Sequence, residues 1–248
     1  MARIGIIGSG GRMGRAIADV LAASDEHACA GGVDRDTVLT DLAGHADALA
    51  DFSAPDALVA NLAAAREART PILIGTTGLT GEHHAAIEEA AAVIPVIQTG
   101  NTSLGVTLLA HLVGEAAARL GPDWDVEILE MHHRMKVDAP SGTALLLGEA
   151  AARGRGVELG DKRESGRDGH TGRRGEGAIG FAALRGGTVA GEHSVIFAGE
   201  QERLVLSHCA ESRAIFARGA VRGTAWLIGK PPGRYTMEDV LGLPSLRA

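Results

Sequence analysis

Aromatic side chains are nearly missing: Phe, Trp and Tyr make up 3% of the 248 residues. The core must therefore be packed mostly from Ala, Val, Leu and Ile. Cysteine is equally scarce. Cys29 and Cys209 stand far apart and without metal-ligand spacing, so no disulfide framework is expected and a reducing cytoplasm is the simplest home. There is no excess of positive charge, because the formal net charge is −7. That argues against nucleic acid or an acidic membrane as the main partner, though not against a local basic cluster that holds a small anion. No apolar run reaches membrane-spanning length, and the opening MARIGIIGSG is too short and glycine-broken for a signal peptide.

What is present is an ordinary globular balance, 45% hydrophobic and 22% charged, in a chain long enough for one large or two modest domains. Its first half alternates short apolar runs with helical stretches. Arg3–Ile7 is followed by Met13, Ile17, Val20 and Leu21 at helical spacing, and a second run, Ala28–Val33, ends at Asp34. Further strands are expected at Ala48–Phe52, Pro71–Ile74 and Pro95–Gln98, with alanine-rich helices between them. Strand, helix, strand at this rhythm means parallel pairing with right-handed crossovers, a Rossmann-like doubly wound sheet.

The rhythm changes after residue 103. A helix with Gly105, Leu108, Leu109, Leu112 and Val113 on one face leads into the run Val126–Glu130, a polar loop and a helix from about Ser141. Gly154–Gly177 reads as a long surface loop, and Ser194–Ala198 with Arg203–His208 as a hairpin around Gly199–Glu202. A last helix is expected over Ala214–Gly229. The expected division is residues 1–103 with 223–248 as a dinucleotide domain. Residues 104–222 form a second, α+β domain with a mixed sheet, for substrate binding and assembly.

Gly8-Ser9-Gly10-Gly11-Arg12-Met13-Gly14 joins the first strand to the first helix. Glycines there permit a sharp turn and the close approach of a pyrophosphate to a helix N-terminus. Met13 breaks a strict GxGxxG, and glycines alone build any tight βα turn. Context adds weight: Asp34, twenty residues past Gly14 at the end of the second strand, is where a ribose-binding carboxylate belongs. Arg35 follows it directly. A carboxylate suits the ribose hydroxyl of NADH and a guanidinium the extra phosphate of NADPH, so the pair points to use of either cofactor. Gly75-Thr76-Thr77-Gly78 and Thr99-Gly100-Asn101-Thr102 close later strands and are placed to line the same crevice.

The densest polar cluster runs from Glu130 to Ala144, EMHHRMKVDAPSGTA. Histidine exchanges protons near neutral pH, and a nearby lysine can donate one or hold a carboxylate. Pro140 suits a helix entry, and Ser141-Gly142-Thr143 would present backbone N–H groups to an anion. His132, His133 and Lys136 beside that seat read as a site for a small anionic substrate. Adjacent histidines point apart on a strand and have no ligand-spaced partner, so no metal is expected.

The string HHRMKVDAPSGTA resembles the signature HHxxKxDxPSGTA of the dihydrodipicolinate reductase family. GSGGRMG, DFSAP, GTTG, RDGHTG, IGF, GEH and GAVR follow in the family's order over nearly the whole chain. The resemblance implies hydride transfer from NADH or NADPH to a cyclic dicarboxylate of the diaminopimelate–lysine route, giving tetrahydrodipicolinate and water. It also implies a homotetramer built through the second domain's sheet. By position His132 would be a proton donor and acceptor and Lys136 a proton donor. His133, Gly142 and Thr143 would hold the substrate, with Ser141 alongside. Gly8 to Met13, Asp34, Arg35, Gly75 to Thr77 and Thr99 to Thr102 would hold the cofactor. Thr102 stands where an aromatic is common in the family, and the loop before Arg167 is short. Two other readings share the glycine turn: a related two-domain dehydrogenase, and a non-catalytic dinucleotide sensor.

Overall fold

The computed structural model describes residues 1–34 and 39–244. By its internal contacts the chain divides into one unit of residues 1–104 with 214–242, and a second that contains residues 105–213.

In the first unit, strands β1 (Ala2–Ile7), β2 (His27–Val33), β3 (Ala48–Asp51), β4 (Ile72–Ile74) and β5 (Pro95–Gln98) alternate with helices. These helices are α1 (Arg12–Ala22), α2 (Leu39–His45), α3 (Pro55–Glu67) and α4 (Gly81–Ala91). The described strands pair in parallel, in the order β2-β1-β3-β4-β5. Successive side chains of a strand face opposite ways, so a sheet covered on both sides needs apolar residues at consecutive positions. The sequence meets that demand. Ile7, Leu49, Ile72, Ile74 and Val96 pack with Leu58 and Leu62 of α3 and Ile87 of α4. Ile4, Ile6 and Ala50 point to the other face, against Ile17 and Leu21 of α1. The doubly wound architecture follows from that alternation.

The second unit begins with α5 (Leu104–Leu120), most of which lies in it, and continues through β6 (Asp125–His132) and α6 (Gly142–Gly154). Next come α7 (Leu159–Lys162), β7 (Arg163–Ser165), β8 (Ile179–Arg185), β9 (Gly191–Ala198) and β10 (Arg203–Ala210). The sheet order is β10-β9-β6-β8-β7, with β6 parallel to β8 and antiparallel to β9. This is the expected mixed sheet. Val126, Ile128, Phe181, Val195 and Phe197 line one face and pack on Leu109 and Val113 of α5 and on Leu147 and Ala151 of α6.

Three expectations change, and two elements are added. The stretch 154–177 is not all loop: Leu159 is buried in α7, and β7 pairs with β8 while the Arg163 guanidinium lies over the Phe181 ring. The buried stripe of α5 runs through Val106, Leu109, Ala110, Val113 and Ala117, leaving Leu108 and Leu112 exposed. The last long helix, α8 (Ala214–Trp226), lies wholly in the first unit rather than rejoining it at residue 223. Its Ala217, Ala220 and Val221 fill the core beside Ile6 and Ile17, which the proposed boundary would have cut. Finally, β11 (Gly233–Tyr235) extends the first sheet beside β5, and α9 (Met237–Leu241) buries Met237 and Val240 against Leu73 and Ile97.

Candidate functional site

The first unit gathers its candidate residues where β1, β3, β4 and β5 end. Gly8 leaves β1 with φ +80°, a left-handed conformation that glycine adopts without strain, and α1 starts with no side chain capping its first turn. A β-carbon on Gly14 would meet the Gly8 carbonyl oxygen at 2.2 Å, so the helix can lie this close to the turn only with glycine there. Beside this turn is a cavity of about 470 Å³ lined by Gly8, Gly11, Asp34, Phe52, Ser53 and Asn61 among others. A helix start without a side-chain cap, opening on a cavity with a carboxylate at its edge, fits a dinucleotide phosphate and ribose.

Asp34 is already engaged by the turn: its Oδ2 accepts from the Ser9 hydroxyl at 2.9 Å and from the Gly10 N–H at 2.8 Å. Arg12 is exposed, whereas Met13 packs into the core beside Ile17. Arg35 lies outside the described residues. Gly75 follows β4 and donates its N–H to the Asp51 carbonyl at 2.8 Å, with Thr76 buried and Thr77 exposed after it. The Thr99 hydroxyl donates to the Asn101 carbonyl and accepts from the Asn101 N–H, folding Gly100 into a tight turn. Thr102 is buried, and its hydroxyl donates at 2.7 Å to the Phe216 carbonyl of α8, which ties it to the fold.

Asp51 at the end of β3 opens the DFSAP string but was not among the expected site residues. It is fully buried, accepts from the Ser53 N–H and hydroxyl and from Asn61 Nδ2, and holds the turn that lines the cavity. Burial pushes its carboxyl above the usual range, against the pull of those hydrogen bonds.

In the second unit the alternation of β6 continues past its apolar residues. Val126 and Ile128 enter the core, and two and four residues later Glu130 and His132 share that buried face. His132 Nδ1 lies 2.5 Å from Glu130 Oε2. Arg185, at the end of β8, clamps the same carboxylate with two guanidinium nitrogens, each at 2.9 Å. Burial opposes ionisation of Glu130, but the bonds from Arg185 and then His132 outweigh it and hold the carboxyl below its ordinary value.

Ser141 caps α6 by accepting from the Ala144 N–H, and its own N–H donates to Glu130 Oε1. Gly142 and Thr143 form the first turn of that helix. His193 from β9 meets the Ser141 hydroxyl through Nε2 at 3.0 Å and the edge of the His132 ring at a centroid distance of 5.1 Å. Burial first, and then the neighbouring His132, push its pKa down to about 4. Gly191 faces His132 Nε2, where a β-carbon would stand at 3.0 Å.

Lys136 reaches both oxygens of Asp138, at 2.7 and 2.8 Å. His133, the first residue after β6, has its Nε2 2.9 Å from Arg213. Partial desolvation and the Arg213 charge lower its pKa. The structure thus brings His132 and Ser141 together through Glu130, while His133 and Lys136 stand on the loop beside them. Arg185 and His193 were missed as site residues. The GEH string contained His193, but nothing local in the sequence links Arg185 to Glu130.

Models of the two halves of one family match this chain: "Dihydrodipicolinate reductase, N-terminus" over residues 2–102 and "Dihydrodipicolinate reductase, C-terminus" over residues 105–241. A 4-hydroxy-tetrahydrodipicolinate reductase of Zymomonas mobilis is 54% identical, with 97% of each chain covered. Another, from Afipia carboxidovorans, is 50% identical over 98% of each. Among solved structures, a dipicolinate-bound dihydrodipicolinate reductase from Paenisporosarcina sp. TG-14 superposes with a TM-score of 0.79 at 22% identity, covering 95% of this chain and 97% of that one. A probable dehydrogenase from Thermotoga maritima reaches 0.59 at 14% identity, covering 96% and 92%. These two structural likenesses show the fold.

Proposed function

The chain belongs to the dihydrodipicolinate reductase family, and from that premise we infer that it is an NAD(P)H-dependent oxidoreductase acting on 4-hydroxy-tetrahydrodipicolinate. The products are tetrahydrodipicolinate and water, so the reaction consumes one hydride and one proton. The nicotinamide, when bound, supplies the hydride. The turn from Gly8 to Met13 would hold the pyrophosphate on backbone N–H groups and Asp34 the ribose, Arg35 being next in the sequence, while Gly75 to Thr77 and Thr99 to Thr102 would hold the rest of the cofactor.

The loop after β6 handles the substrate. A dicarboxylate needs cationic or N–H seats in place of water. The start of α6 at Gly142 and Thr143 serves one carboxylate, with Ser141 holding that helix start in place. His133 and Lys136 serve the ring and the other carboxylate. His132 takes a ring proton at Nε2 as the hydroxyl leaves and returns it when the hydride adds, with no net change, while Lys136 supplies the one proton consumed, to the departing hydroxyl, which leaves as water. The observation that carries this assignment is the clustering of His132, Ser141 and the start of α6 around one carboxylate, Glu130.

The test is a coupled assay in which the preceding synthase makes the substrate from pyruvate and aspartate semialdehyde while NAD(P)H absorbance is followed. Oxidation above the synthase-only control, lost in His132→Ala and Lys136→Ala, is the expected result. No oxidation by the wild-type chain would sink the activity, and near-normal turnover of both variants would sink the residue roles.

The chain assembles as a homotetramer through the second sheet. In support, Leu184, Leu204 and Val205 are exposed on that sheet, and β10 is an open edge. Light scattering that gives a monomer mass would refute this. Free Cys29 and Cys209 support a reducing cytoplasm as its compartment, and a fractionation that finds the chain outside it would refute that. Among the described residues, no helix is long and apolar enough to cross a membrane.

A further inference from the structure

Glu130 spends its whole hydrogen-bonding capacity on the site. An ionised carboxylate offers about four lone-pair positions. Here Oε1 accepts from the Ser141 N–H and one Arg185 nitrogen, while Oε2 accepts from His132 Nδ1 and the other Arg185 nitrogen. Arg185 is itself fixed, since its guanidinium also donates to the Leu184 and Asp138 carbonyls.

We propose that Glu130, locked by Arg185, is a positioning residue for the reduction: it fixes the tautomer of His132 and ties that ring to the substrate seat at the start of α6. The proposal rests on the reading of His132 as the proton-exchanging group. A carboxylate opposite Nδ1 can only accept, so the Nδ1 proton stays and Nε2 becomes the atom that takes up or gives a proton. Nε2 is also the atom that Gly191 leaves uncrowded. One carboxylate therefore sets which ring nitrogen is active and where the helix N–H groups sit relative to it. The charged and titratable groups around this ring are Glu130 and His133 on its own strand and loop, Arg185 from β8, His193 from β9, and Lys136 and Asp138 on the loop.

Glu130→Gln discriminates this role from simple support. The amide keeps one oxygen for Ser141 and Arg185 and presents an N–H to Nδ1, which favours the tautomer with the proton on Nε2. Nitrogen NMR on protein carrying isotope-labelled histidine, recorded over a pH series so that the neutral ring is identified from its own nitrogen shifts, should show Nδ1–H for His132 in the wild type. Substantial Nε2–H should appear in Glu130→Gln. The variant's kcat should fall roughly tenfold or more, the scale of one charge-assisted hydrogen bond, with a smaller change in the substrate KM. Glu130→Asp should restore the Nδ1–H tautomer and part of kcat. Should Glu130→Gln fail to fold, Glu130→Ala, which leaves His132 Nδ1 without a fixed acceptor, is read in the same way and should loosen the tautomer preference. An unchanged tautomer, or a kcat within about threefold of wild type, overturns the proposal. The NMR arm needs no turnover, so it still decides the positioning claim if the chemical reading of His132 fails.

Discussion

The Gly8 carbonyl oxygen stands 2.2 Å from where a β-carbon on Gly14 would lie. That distance is far inside van der Waals contact, and the obstruction is backbone, which cannot swing away like a flexible side chain. The first turn of α1 and the end of β1 are therefore held together by the lack of a side chain at residue 14. Gly14→Ala should push the helix start away from the turn, cost about 1–3 kcal/mol in stability, and weaken NADH and NADPH alike. A urea melt and a cofactor titration check this. Wild-type affinity for both cofactors would show that the close approach is not needed for binding.

Asp34 has a narrower task. Its carboxylate receives Ser9 and Gly10 and stands at the end of β2, where the ribose hydroxyl of NADH would reach it. The same negative charge is unfavourable beside the additional phosphate of NADPH. Asp34→Asn keeps an oxygen for the turn and removes the charge. The ratio of kcat/KM for NADPH over NADH should rise roughly tenfold, the scale of one charge-assisted hydrogen bond. An unchanged ratio would remove Asp34 from cofactor discrimination.

His193 makes stability depend on pH. Its folded pKa, about 4, lies below the ordinary value of 6.5. The unfolded chain therefore takes up a proton first as the medium is acidified, while the folded chain stays neutral at this position. The contribution is fully present above about pH 6.5, declines as pH falls, and levels off below about pH 4. Between pH 7 and pH 5 the loss amounts to about 2 kcal/mol. His208, also lowered by burial, adds a contribution of the same sign. Urea unfolding at both pH values should show a smaller acid loss for His193→Gln than for the wild type. Equal losses would mean that this histidine is protonated in the folded chain.

The sequence revealed the parts of this molecule in which local chemistry and long-range packing coincide. Ile4 to Ile7 is apolar at every position because both faces of its strand are covered, and the glycine turn follows at once. In β6 the two-residue period carries Val126 and Ile128 into the core and Glu130 and His132 into the site, so the polar pair is legible as a continuation of the apolar one. What stayed hidden is long-range or very short. Arg185 reaches Glu130 from 55 residues away, across a strand pairing that no local pattern encodes. The strands β7 and β11 have three residues each, too few for a period to show. The packing of Ala217 and Ala220 of α8 on the first sheet is set by Ile4, Ile6 and Ala50, far upstream in the sequence.

The chemistry turns on one event, the passage of a hydride from a nicotinamide to the ring of the dicarboxylate substrate. Isotope transfer tests it most directly. NADH deuterated at its hydride-bearing carbon is supplied with enzymatically generated substrate, and the product is examined by mass spectrometry. The expected product is tetrahydrodipicolinate carrying a single deuterium atom, formed in step with cofactor oxidation. Cofactor oxidation with no deuterium in the product, from either face of the labelled cofactor, would contradict that transfer.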